Sequence, residues 1–507
     1  MSKQKKHPRD DLQDHIHEAT TMTPSEAILE QFAAENTEVM FGIVGSAFMD
    51  ILDIAPKAGI EYVHVRHEQN AAHMADGYAQ ALRGKKPGLC VAQNGPGVTN
   101  MVTGIKAAQL NHSPVIMLSP TATTGSIGTD TFQEADQMSI FEDCVDYQQR
   151  LENSNRSAEY VRTAHREALS KKGPAQIDFP RDLLYDEIEV DILPPNAYRQ
   201  TEPGGASTSA VKTASKMIES ADRPVIMAGL GAVYSEAQEE IADLAEALNA
   251  PVANSYLHND SFPITHPLAV GALGYGGSKS AMRLFSEADC LIAVGSRLSE
   301  FGLLKQYGMD WFPEDADIIQ IDIDSSQIGR TTDVELGLVG DAGETVRMLS
   351  DQIAKSAGAP DNRVEEIKQD YNEWKQELRD MSMVDGDPIH PRRACLEVTQ
   401  ALPEGTMIST DIGNTCSMLN AYLEFEEPGN FLAAGTYGNC GFAYGAAIGA
   451  KVARPNDEAV ALVGDGAWGM QSMNEVMTCV REDINANAIV FNNEEWGAEK
   501  QNQYWFY

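Results

Sequence analysis

The 507-residue sequence predicts an α/β protein made of three doubly wound parallel-sheet domains. Three observations lead there. Short β-branched runs alternate with amphipathic helical stretches along the chain, the pattern of βαβ units. The alternation falls into three blocks, separated by stretches rich in Pro, Gly, Ser and Thr or in polar residues. The chain is also too long for one core, and length alone suggests about three or four domains.

Residues 1–21 are charged throughout and lack the apolar segment of a signal peptide, so they read as a disordered tail. Order is expected from Met22, with Thr23 as a helix N-cap and Ser25 and Glu26 in the first turn. The first block, 22–190, has strand candidates at Val39–Val44, Tyr62–Val65, Leu89–Gln93 and Val115–Leu118. Leu193–Ser209 reads as a linker. The second block, 205–355, has strand candidates at Val225–Ala228, Cys290–Val294 and Ile318–Ile323. Within it, Ser235 to Gln238 reads as a capping box opening a helix. That helix repeats Ile241, Leu244, Ala245 and Leu248 at i, i+3, i+4, i+7 spacing. A polar helical stretch and the Asp385–Pro391 turn cluster lead to the third block, 388–507, with strands at Met407–Thr410, Ala459–Val463 and Asn487–Phe491.

Composition narrows the function classes. No apolar run approaches the roughly 18–20 residues that span a bilayer. The seven cysteines are scattered and form no CxxC pair, which argues against a disulfide framework or a zinc site and for a reducing cytoplasm. Asp and Glu total 75 against 38 Lys and Arg, a net charge of −37. Such a surface repels nucleic acid and anionic membrane, so neither is an expected partner.

The most specific motif lies in the third block. A strand is followed by Gly464-Asp465-Gly466, then a helix, a second strand and Asn492-Asn493. Consecutive parallel strands end at one edge of the sheet, where open α/β sheets bind ligands. Asp465 and Asn493 therefore bring two oxygen donors together, and the glycines allow close backbone approach to a diphosphate. A carboxylate, an amide oxygen and a carbonyl, completed by phosphate oxygens and water, suit a hard octahedral cation such as magnesium. Gly-Asp-Gly alone would be an ordinary turn; the paired asparagines after a second strand make it a motif.

This spacing resembles the thiamine-diphosphate fingerprint of the acetolactate synthase and pyruvate oxidase superfamily. The resemblance implies magnesium held by the Asp465 and Asn493 side chains and the Glu495 main-chain carbonyl. It implies pyrimidine-binding, central Rossmann-like and diphosphate-binding domains in that order. A second motif, Arg66-His67-Glu68-Gln69 before a helix of small residues, is similar to the superfamily segment whose glutamate contacts the aminopyrimidine ring. A carboxylic acid there shares a proton with the ring, enabling the cofactor to ionise. Asn94-Gly95-Pro96-Gly97 resembles the turn beside the pyrimidine. Gly438-Asn439-Cys440-Gly441 resembles the turn in which Gly438 offers a carbonyl and residue 440, usually Met or Leu, bends the cofactor. Asp411, Gly413 and Asn414, after a strand, read as a further diphosphate cradle.

Several segments, above all NNEEWGAEKQNQYWF, resemble the sulfoacetaldehyde acetyltransferase family within that superfamily, and the likeness runs from about Met22 to Tyr507. It implies that sulfoacetaldehyde and phosphate become acetyl phosphate and sulfite. It also implies Gly45, Ser46 and Gln133 at the reacting centre, with His112 and Lys500 as further candidates. A chain of net charge −37 that must gather diphosphate, sulfonate and phosphate needs local positive charge, so Lys500 and, second, Arg66 are expected to hold an anion. Glu68 and Asp465 are implied to meet from different subunits, making a homodimer or homotetramer. The likeness implies a further C-terminal segment, so the third domain is expected to be truncated. The competing readings are an acetolactate-synthase-like carboligase acting on 2-oxo acids and a cofactor-binding remnant without activity.

Overall fold

The computed structural model describes residues 20–353 and 362–507; the expectation of a disordered tail falls mostly on residues 1–19, outside that range. The described chain forms two compact units. The first comprises residues up to 201 together with 434–461 and 466–488, and the second comprises 202–433 with 462–465 and 489–507.

In the first unit, Thr20–Met22 pairs antiparallel with Ile188–Val190, so Thr20 and Thr21, ahead of the expected Met22, are already in a strand. The strand forms because it has an edge to pair with, which tail composition does not reveal. Thr23 caps the helix Pro24–Ala34 as expected, in a full capping box with Glu26. The main sheet is wholly parallel. Its strands are β1 (Val39–Gly42), β2 (Glu61–His64), β3 (Gly88–Val91), β4 (Val115–Thr121), β5 (Tyr147–Arg150) and β6 (Ala175–Pro180). They run in the order β2-β1-β3-β4-β6-β5. Ile28, Phe32, Leu89, Ile116 and Phe179 fill the core on one face. The strand order reverses between β1 and β3, and ligands bind beyond the carboxyl ends of strands at such a point.

The second unit holds another six-stranded parallel sheet. Its strands are β7 (Pro224–Ala228), β8 (Val252–Asn254), β9 (Ala269–Ala272), β10 (Cys290–Val294), β11 (Asp317–Asp322) and β12 (Leu336–Val339). The order β9-β8-β7-β10-β11-β12 is the Rossmann arrangement. The expected capping box at Ser235 does not form. Ser235 ends the preceding helix, its hydroxyl donates back to the Gly231 carbonyl at 2.8 Å, and Ala237 takes the N-cap without a side-chain bond. The apolar stripe still holds, with Ile241, Leu244, Ala245 and Leu248 fully buried.

The third block carries its own sheet of β13 (Met407–Thr410), β14 (Phe431–Ala433), β15 (Ala459–Gly464) and β16 (Ala486–Phe491), ordered β14-β13-β15-β16. No helix among the described residues is long and apolar enough to cross a membrane.

Candidate active site

In the first unit the implied residues gather at the carboxyl edge of β1, β2 and β3. Glu68 opens the helix Glu68–Ala81 and is 9% exposed. Its Oε2 accepts from Asn100 Nδ2 at 2.9 Å. Its Oε1 lies 3.2 Å from where a Cβ on Gly97 would stand, so Glu68 and the Gly95-Pro96-Gly97 turn are neighbours. Gly95 has φ +68°, and a Cβ there would come within 2.2 Å of the Gln133 carbonyl oxygen; only glycine fits. Gln93 ties the group together. Its Oε1 accepts from Ala47 N, next to the exposed Ser46, at 3.0 Å, and its Nε2 donates to Gln133 Oε1 at 2.9 Å. Asn94 Nδ2 donates to the Gln133 carbonyl at 2.8 Å.

A buried chain of bonds stands behind this turn. Gly95 N donates to Gln137 Oε1 at 2.8 Å, Gln137 Nε2 donates to Asp178 at 2.9 Å, and Arg150 Nε donates to Asp178 at 2.6 Å. Burial pushes the Asp178 carboxyl above its usual range, against the pull of Arg150. Sequence reasoning missed Gln93, Asn100, Gln137 and Asp178. The available signal was an acid set between the apolar Ile177 and Phe179 in the strand AQIDFP, which is costly unless partnered.

His112 is not brought to this group. It follows the helix Val102–Leu110 and precedes β4, whose first residue pairs with Gly88 at the start of β3. It therefore lies at the amino edge of the sheet, whereas Gln93 to Gly97 follow the carboxyl edge. The histidine nearer the implied cofactor bed is His73, which is fully buried. Its Nε2 meets Asn439 Nδ2, beside Gly438 and the half-buried Cys440, at 3.2 Å and Gln69 Nε2 at 3.3 Å.

Burial lowers the His73 pKa to about 3. The folded chain thus refuses a proton that the unfolded chain takes up below about pH 6.5. Stability is kept above that pH and lost as pH falls from 6.5 towards 3, at about 1.4 kcal/mol per unit. In His73→Gln, the stability lost between pH 7 and pH 5 in urea titrations should shrink by about 2 kcal/mol; an unchanged loss contradicts the assignment.

In the second unit, Asp411 immediately follows β13 and is 1% exposed, and Gly413 comes next but one at φ +112° with no atom within 4 Å of a Cβ position. Asn414 Nδ2 lies 3.5 Å from Gln501 Oε1. A Cβ on Gly497 would stand 2.9 Å from Asn493 Nδ2 and 3.4 Å from Asn414 Nδ2, so these residues share one corner. Gly464 ends β15, Asp465 begins the following helical turn that includes Gly466, and Asn493 follows β16, the neighbour of β15. Asn493 Oδ1 accepts from Glu495 N at 3.2 Å, which folds the 493–495 loop back on itself. Among the described residues no three His, Cys, Asp or Glu side chains cluster as a metal site. The implied set is of another kind: one carboxylate, one amide and one carbonyl, hard oxygen donors that fit magnesium. Together with the open cradle at Gly413, these residues fit a diphosphate bound through that ion. Lys500, in the helix Gly497–Phe506, is 65% exposed at its side chain and pairs with Glu495, so its charge is already countered.

Comparison with known proteins matches three successive segments of the chain. Residues 22–140 match the family model described as thiamine pyrophosphate enzyme, N-terminal TPP binding domain. Residues 211–349 match the central domain, and 411–507 the C-terminal TPP binding domain. A sulfoacetaldehyde acetyltransferase of Castellaniella defragrans is 45% identical, over 98% of this chain and 85% of the relative. One of Alcaligenes xylosoxydans xylosoxydans is 44% identical, over 96% and 83%. A probable acetolactate synthase large subunit of Methanococcus aeolicus is 34% identical, over 96% and 83%.

Proposed function

The chain belongs to the sulfoacetaldehyde acetyltransferase family of thiamine pyrophosphate enzymes, and from that premise we propose that it passes the acetyl unit of sulfoacetaldehyde to phosphate, giving acetyl phosphate and sulfite. The observation that carries the reading is the placement of Glu68 beside Asn100 and the Gly95–Gly97 turn, at the switch point of the domain matching the N-terminal TPP model.

Bound thiamine diphosphate supplies a stabilised carbanion and an electron sink. Glu68 shares a proton with the aminopyrimidine nitrogen, and its burial removes the water that would compete for that proton. Asn100 holds one carboxylate oxygen and leaves the other for the cofactor. Gly438 and Cys440 bound the cofactor's middle. Asp465, Asn493 and the Glu495 carbonyl hold magnesium, while Asp411, Gly413, Asn414, Gly464 and Gly466 receive the diphosphate. Ser46 and Gln133 line the place where the aldehyde reacts, with Gln93 bridging Ala47, the residue after Ser46, to Gln133. Lys500 serves an anion only by giving up Glu495. The active unit is a homodimer or a homotetramer, in which Glu68 and Asp465 come from different subunits. All seven cysteines are free thiols, which supports a reducing, cytoplasmic setting.

The test offers purified chain, thiamine diphosphate and magnesium either sulfoacetaldehyde or pyruvate. Sulfite from the first and no acetolactate from the second is the expected result. Acetolactate without sulfite would replace this reading with a carboligase.

A further inference from the structure

We propose that Glu475 is the positioning residue that aims Glu68, an inference that rests on the role given to Glu68 above. Glu475 is fully buried and sits in the short turn Ser472–Glu475 of the first unit. A carboxylate taken out of water is costly unless several donors meet it. Here the donors come from the segment that carries Glu68. Oε1 accepts from Arg66 N at 3.0 Å, His67 N at 3.2 Å and Asn70 Nδ2 at 2.9 Å. Oε2 accepts from Arg66 N at 3.2 Å and from Thr478 Oγ1 at 2.7 Å.

Arg66 and His67 are the last two of the three residues between β2 and the helix Glu68–Ala81, and Asn70 lies in that helix's first turn. Helix N-termini leave backbone N–H groups without intrahelical partners. His67 answers one locally, its Nδ1 accepting from Gln69 N at 3.1 Å. The N–H groups of Arg66 and His67 themselves are answered by Glu475, which lies some four hundred residues away in sequence (475 against 66 and 67). The bend that sets where Glu68 starts is thus pinned by one carboxylate. Glu475 does not touch Glu68 or any reacting atom. It acts through the backbone on which Glu68 is mounted.

Two substitutions separate positioning from charge and from simple stability. Glu475→Gln keeps an oxygen where Oε1 stands, and the Thr478 hydroxyl can turn to accept from the new amide. Glu475→Asp keeps the charge and draws the oxygens back by about one carbon–carbon bond, roughly 1.5 Å. The readout is deuterium exchange at C2 of bound thiamine diphosphate, followed by NMR without substrate and expressed per bound cofactor, with melting curves recorded in parallel. Misplacement by about 1 Å costs about a hundredfold, so Glu475→Asp should exchange about a hundredfold more slowly. Glu475→Gln should stay within about tenfold of the parent, losing only charge assistance. The reverse order, Gln slower than Asp, would show that charge and not position matters. Exchange per bound cofactor unchanged in both, whatever happens to the melting temperature, would reduce Glu475 to a structural cap; either result overturns the proposal. Glu68→Gln is the control, expected to slow exchange by at least about a hundredfold. If it does not, the role given to Glu68 fails first.

Discussion

Asp465→Ala will yield a folded chain that no longer retains thiamine diphosphate in magnesium. Asp465 is the one carboxylate in the implied ligand set, placed at the end of β15 beside the Asn493 loop at the end of β16. Removing it leaves a divalent cation and a diphosphate with neutral donors only. Breaking such a compensated charge pair costs about 3–5 kcal/mol, or roughly two to four powers of ten in Kd. Asp465 lies at a partly exposed turn and not in the core, so the melting temperature should move by only a few degrees. Isothermal calorimetry with magnesium in excess reads the effect. Affinity retained within a few fold would remove Asp465 from the metal site.

Glu68→Gln should bind the cofactor but lose about two to four powers of ten in kcat, the usual weight of a positioned acid–base group. The amide can still pair with Asn100, so the fold and the neighbouring Gly95–Gly97 turn should survive. The substitution also tests assembly. If each site takes Glu68 from one subunit and Asp465 from another, Glu68→Gln and Asp465→Ala chains fail for complementary reasons. Dissociated, mixed and reassociated at random, half the dimers would be mixed and carry one intact site of two, restoring roughly a quarter of the sites. Mixtures that stay as inactive as either parent would mean that both residues serve a site within one chain.

Much of this was legible in the sequence because the motifs sit where βαβ geometry puts them. Glu68, the Gly95 turn, Asp465 and Asn493 all follow strands read from β-branched runs, and strand ends are where such sheets work. What escaped depends on partners that sequence order hides. Tyr147–Arg150 is an edge strand of polar residues, YQQR, that exists through pairing with β6 and not through its own alternation. Ser235 carries the letters of a capping box, yet its hydroxyl turns back to the preceding helix. His112, a further candidate in the sequence, carries no local sign of which sheet edge it occupies, and the parallel register places it at the edge opposite Gln93 to Gly97. Glu475 has no local signature; its meaning comes from Arg66, His67 and Asn70. The lysine expected to gather anions proved to be tied to Glu495.

The central claim is transfer of an acetyl unit to phosphate, and product stoichiometry tests it most directly. Purified chain with thiamine diphosphate, magnesium and sulfoacetaldehyde should form sulfite and acetyl phosphate in equal amounts when phosphate is present. With phosphate omitted, no acetyl phosphate should form and sulfite should stop accumulating after about one equivalent per site, since water is a poor substitute for a positioned anion. Sustained sulfite release without phosphate, yielding acetate in place of acetyl phosphate, would contradict the account.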